Sequence, residues 1–222
     1  MLTRARKKER STHAQHRNGA ETRATILKAA EQIYAEYGLA GARTEAIAAA
    51  AGVNKALLYY YFQSKERLYQ AVIGSQLLEF QQQAQEILSA EGPAAPILLR
   101  YVSHHFDFIG THPHYPSIFQ RMLMEEDRAA ERMIRRYSIP LKHLLVALLS
   151  RGIRAGEFRP LDPEHTLVSI TGMTNHYFNI APAIRIITGQ NPFSKANLAK
   201  RKAEVLNFIR YALFCDPEAA GQ

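Results

Sequence analysis

Apolar side chains return along this chain at spacings of three and four from residue 22 almost to the end. Ile26, Ala30, Ile33 and Tyr37 lie four, three and four residues apart, which predicts one face of a helix over about Thr22 to Gly38. A small, apolar run from Ile47 to Ala51 follows, and Gly52 can end it because glycine takes a positive φ without steric cost. Thr44 is placed to cap that short helix, and Asn54 to cap the next, from about Lys55 to Tyr61. Ser64 then caps a longer helix from Lys65 to about Ala90, with Leu68, Val72, Leu77, Phe80 and Leu88 on its apolar positions, ending before Gly92-Pro93.

Downstream, every segment reads as helix. Pro96 to about Thr111 carries Ile97, Leu98, Tyr101, Val102, His105, Phe108 and Ile109, and His112-Pro113 stops it. Tyr115 to Glu126 carries Ile118, Phe119, Met122 and Leu123, and Asp127 to Ala155 is a long pattern that Pro140 should kink or split. Asp162-Pro163-Glu164 is a helix-start signal with acids in the first turn. The helix that follows, to about Asn179, carries Leu167, Ile170, Thr174 and Phe178, with a short piece after Pro182 to Thr188. The last helix, Lys195 to Phe214, carries Leu198, Val205, Ile209 and Leu213. No strand pattern and no internal repeat is visible, so the fold class is all-α.

The chemistry is concentrated between Thr44 and Lys65. Ala48 stands four residues before Gly52 and Leu58 six after it. In a helix-turn-helix the small residue admits the second helix, and the leucine fills the angle between the two. Ala-x3-Gly alone would fit an ordinary helical hairpin. With Ile47, Ala51, Val53, Tyr59, Tyr60, Tyr61, Phe62 and Lys65 in register, the stretch reads as a DNA-binding head.

Helix 1 followed by Thr44, IAAAAGV, LLYYYF and SKERL resembles the N-terminal domain of the tetracycline-repressor (TetR) family over roughly Arg23 to Val72. The resemblance implies that Asn54, Lys55 and Ala56 face base edges, while Tyr59, Tyr60, Tyr61 and Lys65 hold phosphates. Many relatives have His where Tyr61 stands, so its role carries over less directly. Lys55 suits guanine O6 and N7, and Ala56 suits a thymine methyl. Thr44 doubles as helix cap and as the start of a helix whose free N–H groups can meet a phosphate. The resemblance further implies a dimer built from the last two long helices, here with Leu167, Ile170, Thr174, Phe178, Val205, Ile209 and Leu213. It also implies an effector pocket among the helices from Ile97 to Leu149, for which His105, Phe108, Phe119, Met122, Tyr137 and His143 are candidates. Aromatic and Met residues at helical spacing are more often plain core. The stretch Leu161 to Gly189 is similar to a subgroup that includes the pyrimidine-utilisation repressor.

Charge adds a partner class. The 222 residues carry a formal net charge of +8, and residues 1–17 hold six basic side chains against one acid. With almost no apolar residues, positions 1–20 read as a flexible basic arm, either solvated or laid along a polyanion beside the head. The expected organisation is this arm, a three-helix DNA-binding domain over 21–67, and a helical effector-binding and dimerisation domain over 68–222.

Cys215 is the only cysteine, so no intramolecular disulfide forms. No run of apolar residues approaches the length of a bilayer span and no signal-peptide core follows the basic start, so the expected compartment is the cytoplasm. No glycine-rich phosphate loop, nucleophile elbow or spaced metal-ligand set appears, which speaks against an enzyme and implies no metal and no cofactor. A constitutive architectural DNA binder would need far less than the C-terminal half. The expectation is therefore a transcriptional regulator, most often a repressor in this family, that leaves a palindromic double-stranded operator when a small-molecule effector binds.

Overall fold

A computed structural model describes the backbone of residues 2–124 and 128–218, and the side chains of residues 19–124 and 130–218 among them. The chain divides into two compact units, residues 1–75 and 76–222. Among the described residues every regular element is helical, and the one β-type pairing is an isolated antiparallel bridge between Phe158 and Phe214.

The first unit contains α1 (Leu2–Gly41), α2 (Thr44–Ala50), α3 (Lys55–Phe62) and the start of α4 (Lys65–Leu88). The stretch read as a basic arm is the N-terminal part of α1, and the side chains of residues 1–18 lie outside the described residues. Gly38 breaks the helical path at φ 67° and ψ −177°, and the chain resumes a last turn to Gly41. Ile26, Ala30 and Tyr34 form the buried stripe of α1, whereas Tyr37 is exposed. The expected stripe ended on Tyr37, but that residue adjoins the break. Tyr34 takes the inward place instead. Its ring meets Tyr69 edge-on at 4.9 Å, and its hydroxyl donates to the Lys65 carbonyl at 2.8 Å.

The turn between α2 and α3 follows the glycine logic. The Val53 N–H reaches the Ala48 carbonyl at 3.0 Å and the Gly52 N–H reaches that of Ala49 at 3.1 Å, the paired bonds of a Schellman ending. Gly52 sits at φ 65°, where a side chain is disfavoured. Leu58 is fully buried with Ile47 and Ala48, and burying a leucine contributes about 1.5–3 kcal/mol. Asn54 caps α3, its Oδ1 accepting from the Leu57 N–H at 2.8 Å. The cap expected at Thr44 is one residue off: Arg43 is the N-cap, without a side-chain bond, and Thr44 is the first helical residue.

The second unit comprises the rest of α4, then α5 (Ala94–Thr111), α6 (Tyr115–Met124), α7 (Arg128–Met133), α8 (Ile139–Arg154), α9 (Pro163–Asn179), α10 (Ala181–Thr188) and α11 (Lys195–Leu213). Helix α5 is central, with ten buried residues, and packs against α8, α9 and α11. Pro93, at its N-cap, has no side chain to offer the first N–H groups. Glu157 does this from a distant turn, its carboxylate accepting from the Ala94 and Ala95 N–H groups at 3.0 and 2.8 Å. The helix expected from 127 to 155 is split by a π-helical turn, Ile134–Ser138, just ahead of Pro140. Proline has no N–H to give the carbonyl four residues back, and its ring crowds that carbonyl. The chain accommodates it with the wider turn.

Candidate nucleic-acid interface and small-molecule cavity

In the first unit the buried side of α3, Leu58 and Phe62, fixes what its other side presents. Asn54, Lys55 and Ala56 are exposed together at its N-terminal end. Capping consumes the Asn54 carbonyl oxygen and leaves its amide to donate outward. Lys55 is ion-paired with Glu45 of α2, and its ammonium lies 5.9 Å from the Tyr59 ring centroid. The hydrogen bond from Lys55, foremost, holds the Glu45 carboxyl below the usual carboxylate range. A base acceptor therefore competes with this carboxylate for the Lys55 ammonium. Glu45 lies ten positions away on another helix, and no sequence periodicity connects the two.

Tyr59 and Tyr60 are exposed, and Tyr61 is half-buried with its ring edge-on to Tyr60 at 5.2 Å. The Tyr61 hydroxyl stands against Gly19 of α1, 3.4 Å from where a β-carbon there would lie. Thr44 is buried, and its hydroxyl donates to the Glu45 carboxylate at 3.3 Å. Lys65 is half-buried and donates to the carbonyls of Ala40 and Ala42, at 3.3 and 3.2 Å, at the end of α1. Two of its three N–H groups are thus spent within the chain, leaving one for an outside acceptor.

In the second unit a cavity of about 340 Å³ lies among α4, α5, α6, the π-helical turn, α8 and α9. His105, Phe119 and Tyr137 line it, as do Phe80, Tyr101 and Tyr115, which the sequence reading did not select. Phe108 and Met122 are buried outside its lining, and His143 is exposed on α8. Burial pushes the His105 imidazole down to about 4, so the ring is neutral near pH 7. Its Nδ1 lies 3.1 Å from the Thr174 hydroxyl. Burial also raises the phenols of Tyr101 and Tyr115, which remain protonated. Among the described residues, no group of three or more His, Cys, Asp and Glu side chains could hold a metal ion.

The residues expected at a dimer face lie elsewhere. Ile170, Thr174, Phe178, Val205 and Ile209 are buried inside the second unit, and Leu167 and Leu213 pack on the same core. Their periodic stripe is satisfied within one chain. The apolar groups that α9 and α11 leave open are Val168, Phe208 and Tyr211, each more than half exposed.

A helix pair joined by a Schellman turn, with a packed leucine in the angle and a polar outer end, defines a helix-turn-helix regulator. Residues 26–72 match the family described as bacterial regulatory proteins, tetR family, and residues 97–209 match a tetracyclin repressor-like C-terminal domain. The chain belongs to the TetR family of transcriptional regulators. It is 30% identical over 167 residues to the HTH-type transcriptional regulator RutR of Escherichia coli K12, covering 74% of this chain and 77% of that one. This match agrees with the subgroup likeness read from the C-terminal half. The fold is shared with the ketosteroid transcriptional regulator KstR2 of Mycobacterium tuberculosis, at 20% identity and a TM-score of 0.74, over 87% of this chain and 95% of that one. It is also shared with AibR in complex with isovaleryl coenzyme A and operator DNA, at 18% identity and a TM-score of 0.71, over 84% and 97%. Among the described residues, no helix is long and apolar enough to cross a membrane.

Proposed function

We propose that this TetR-family regulator is a repressor that reads a palindromic operator as a homodimer and leaves it when a small molecule fills the cavity of the second unit. The observation that carries the reading is the outer end of α3. Asn54, Lys55 and Ala56 are exposed there on a helix whose opposite side is locked by Leu58 and Phe62. That rigidity holds three side chains in the spacing that base readout needs. Tyr59, Tyr60 and Lys65 supply phosphate contacts, Thr44 places the α2 N-terminus at the backbone, and Tyr61 acts mainly as a spacer against α1. The basic segment over residues 1–20 adds charge to this head, residues 21–67 form the reading domain and 68–222 the responding one.

Two heads must reach successive major grooves, roughly 34–36 Å apart. A second copy covering Val168, Phe208 and Tyr211 would bury the apolar groups left open on α9 and α11. Helix α4 carries Lys65 and Leu68 at one end and the cavity residues Leu77 and Phe80 further along, so one continuous helix serves both tasks. The effector acts only if it binds the DNA-free state better than the bound one. Proteins of this kind act on chromosomal DNA, and the expected compartment is the cytoplasm. The test is selection of bound fragments from random DNA. A two-fold symmetric consensus bound by a dimer is expected, and recovery of fragments without a common sequence overturns the reading.

A further inference from the structure

The cavity of the second unit has a chemical character more specific than a greasy hole. Five aromatic rings wall it: Phe80, Tyr101, Tyr115, Phe119 and Tyr137. Rings packed in this way favour a planar guest that meets them edge-on or offset. At about 340 Å³ the space is at the lower end of small-molecule sites, which fits a single ring with short substituents. The π-helical turn contributes Ile134, Tyr137 and Ser138 to the wall, and such turns gather at functional sites.

Two polar features break the apolar lining. One is Lys142 of α8, among the described residues the one formally charged side chain that lines the cavity. Outside, this ammonium is paired with Glu164 of α9 at 2.7 Å, and the carboxylate is 65% exposed. An exposed pair of this kind is weak, since water screens it. A carboxylate arriving from the cavity side therefore competes on favourable terms. The other feature is His105. The single proton of the Thr174 hydroxyl serves a helix carbonyl, that of Ile170 at 3.1 Å or of Thr171 at 3.0 Å. With the proton on a carbonyl, its oxygen accepts from His105 Nδ1–H, and in that tautomer Nε2 is a lone-pair acceptor.

We propose that the cavity takes a small aromatic carboxylate with a hydrogen-bond donor on its ring. The carboxylate draws Lys142 away from Glu164, the ring lies among the tyrosines and phenylalanines, and the ring donor meets His105. A benzylic ammonium is disfavoured, because among the described lining residues no carboxylate is present to pair with the desolvated cation. Exchange of the Lys142–Glu164 pair loosens a link between α8 and α9, which gives the ligand a structural consequence. This identification rests on the effector-cavity reading above, and its test separates the two.

The purified full-length chain is titrated calorimetrically, without DNA, with 4-hydroxybenzoate, benzoate, benzamide and benzylamine. Affinity should fall in that order, with no detectable heat from benzylamine. Lys142→Met should weaken both benzoates at least tenfold and abolish the preference for benzoate over benzamide. Glu164→Gln, which frees Lys142, should tighten benzoate several-fold. Benzamide binding as tightly as benzoate, a Lys142→Met protein with its preference intact, or no heat from any probe overturns the proposal. Binding of the same proteins to selected DNA is measured separately by fluorescence anisotropy. Loss of sequence-specific DNA binding counts against the regulator reading, whereas a missing carboxylate preference counts only against the ligand class.

Discussion

Lys65→Ala separates two roles that one ammonium would fill together. Its bonds to the Ala40 and Ala42 carbonyls are 3.3 and 3.2 Å long and made by a half-buried side chain. A well-formed bond to a charged group contributes about 1.5–3 kcal/mol. These are long and partly hydrated, so roughly 0.5–1 kcal/mol each is appropriate, or about 1–2 kcal/mol together. For a chain of this size that lowers the thermal midpoint by roughly 2–8 °C. The remaining N–H group is the one available to a phosphate. Losing that contact should reduce the slope of log affinity against log salt by about 0.9, equally for operator and unrelated DNA. Circular dichroism melting gives the first quantity, and anisotropy titrations at several salt concentrations give the second. An unchanged salt slope together with a lowered midpoint would refute the phosphate role and leave Lys65 as a purely structural clasp on α1. An unchanged midpoint would show that the two carbonyl bonds contribute nothing to stability.

Four further substitutions probe other parts of the chain. Lys55→Ala should relax preference at one base position, costing roughly 1–3 kcal/mol for the best base. Glu45→Gln should instead tighten DNA binding by releasing Lys55, and a uniform loss in a binding-site profile would count against both. At Gly152 an added β-carbon would lie 2.3 Å from the buried Phe158 ring. Gly152→Ala should therefore destabilise by about 1–3 kcal/mol in urea titration, and an unaltered midpoint would mean that the ring moves freely. His105 concerns pH. Its folded-state value of about 4 lies below the ordinary 6.5. The unfolded chain binds the extra proton between these values, so the contribution to stability is full above pH 6.5 and is lost as pH falls towards 4. The loss is at most about 3 kcal/mol. It should be absent in His105→Gln, and equal pH dependence in both proteins would place the responsible group elsewhere.

The helical class and the helix-turn-helix were legible because both depend on local rules. Gly52 takes a backbone conformation that few other residues tolerate, Asn54 caps its own helix, and Ala48 and Leu58 act at fixed spacings from the turn. Apolar periodicity likewise marked the helices of the second unit. It reported which residues face inward but not against which neighbour. Ile170, Val205 and Ile209 were correctly periodic yet belong to one chain's core, leaving Val168, Phe208 and Tyr211 outside.

The tertiary structure alone decided the long-range pairings. Glu45 holds Lys55, Glu157 satisfies the start of α5, Lys65 clasps the end of α1, and Lys142 meets Glu164. Such partners meet through helix packing, at sequence separations that no short repeat encodes. The cavity has the same origin: its rings come from four separate segments, and each alone looks like ordinary core. Local sequence determines where a helix starts, turns and hides its stripe. Which groups converge on one point in space follows only from how those stripes pack.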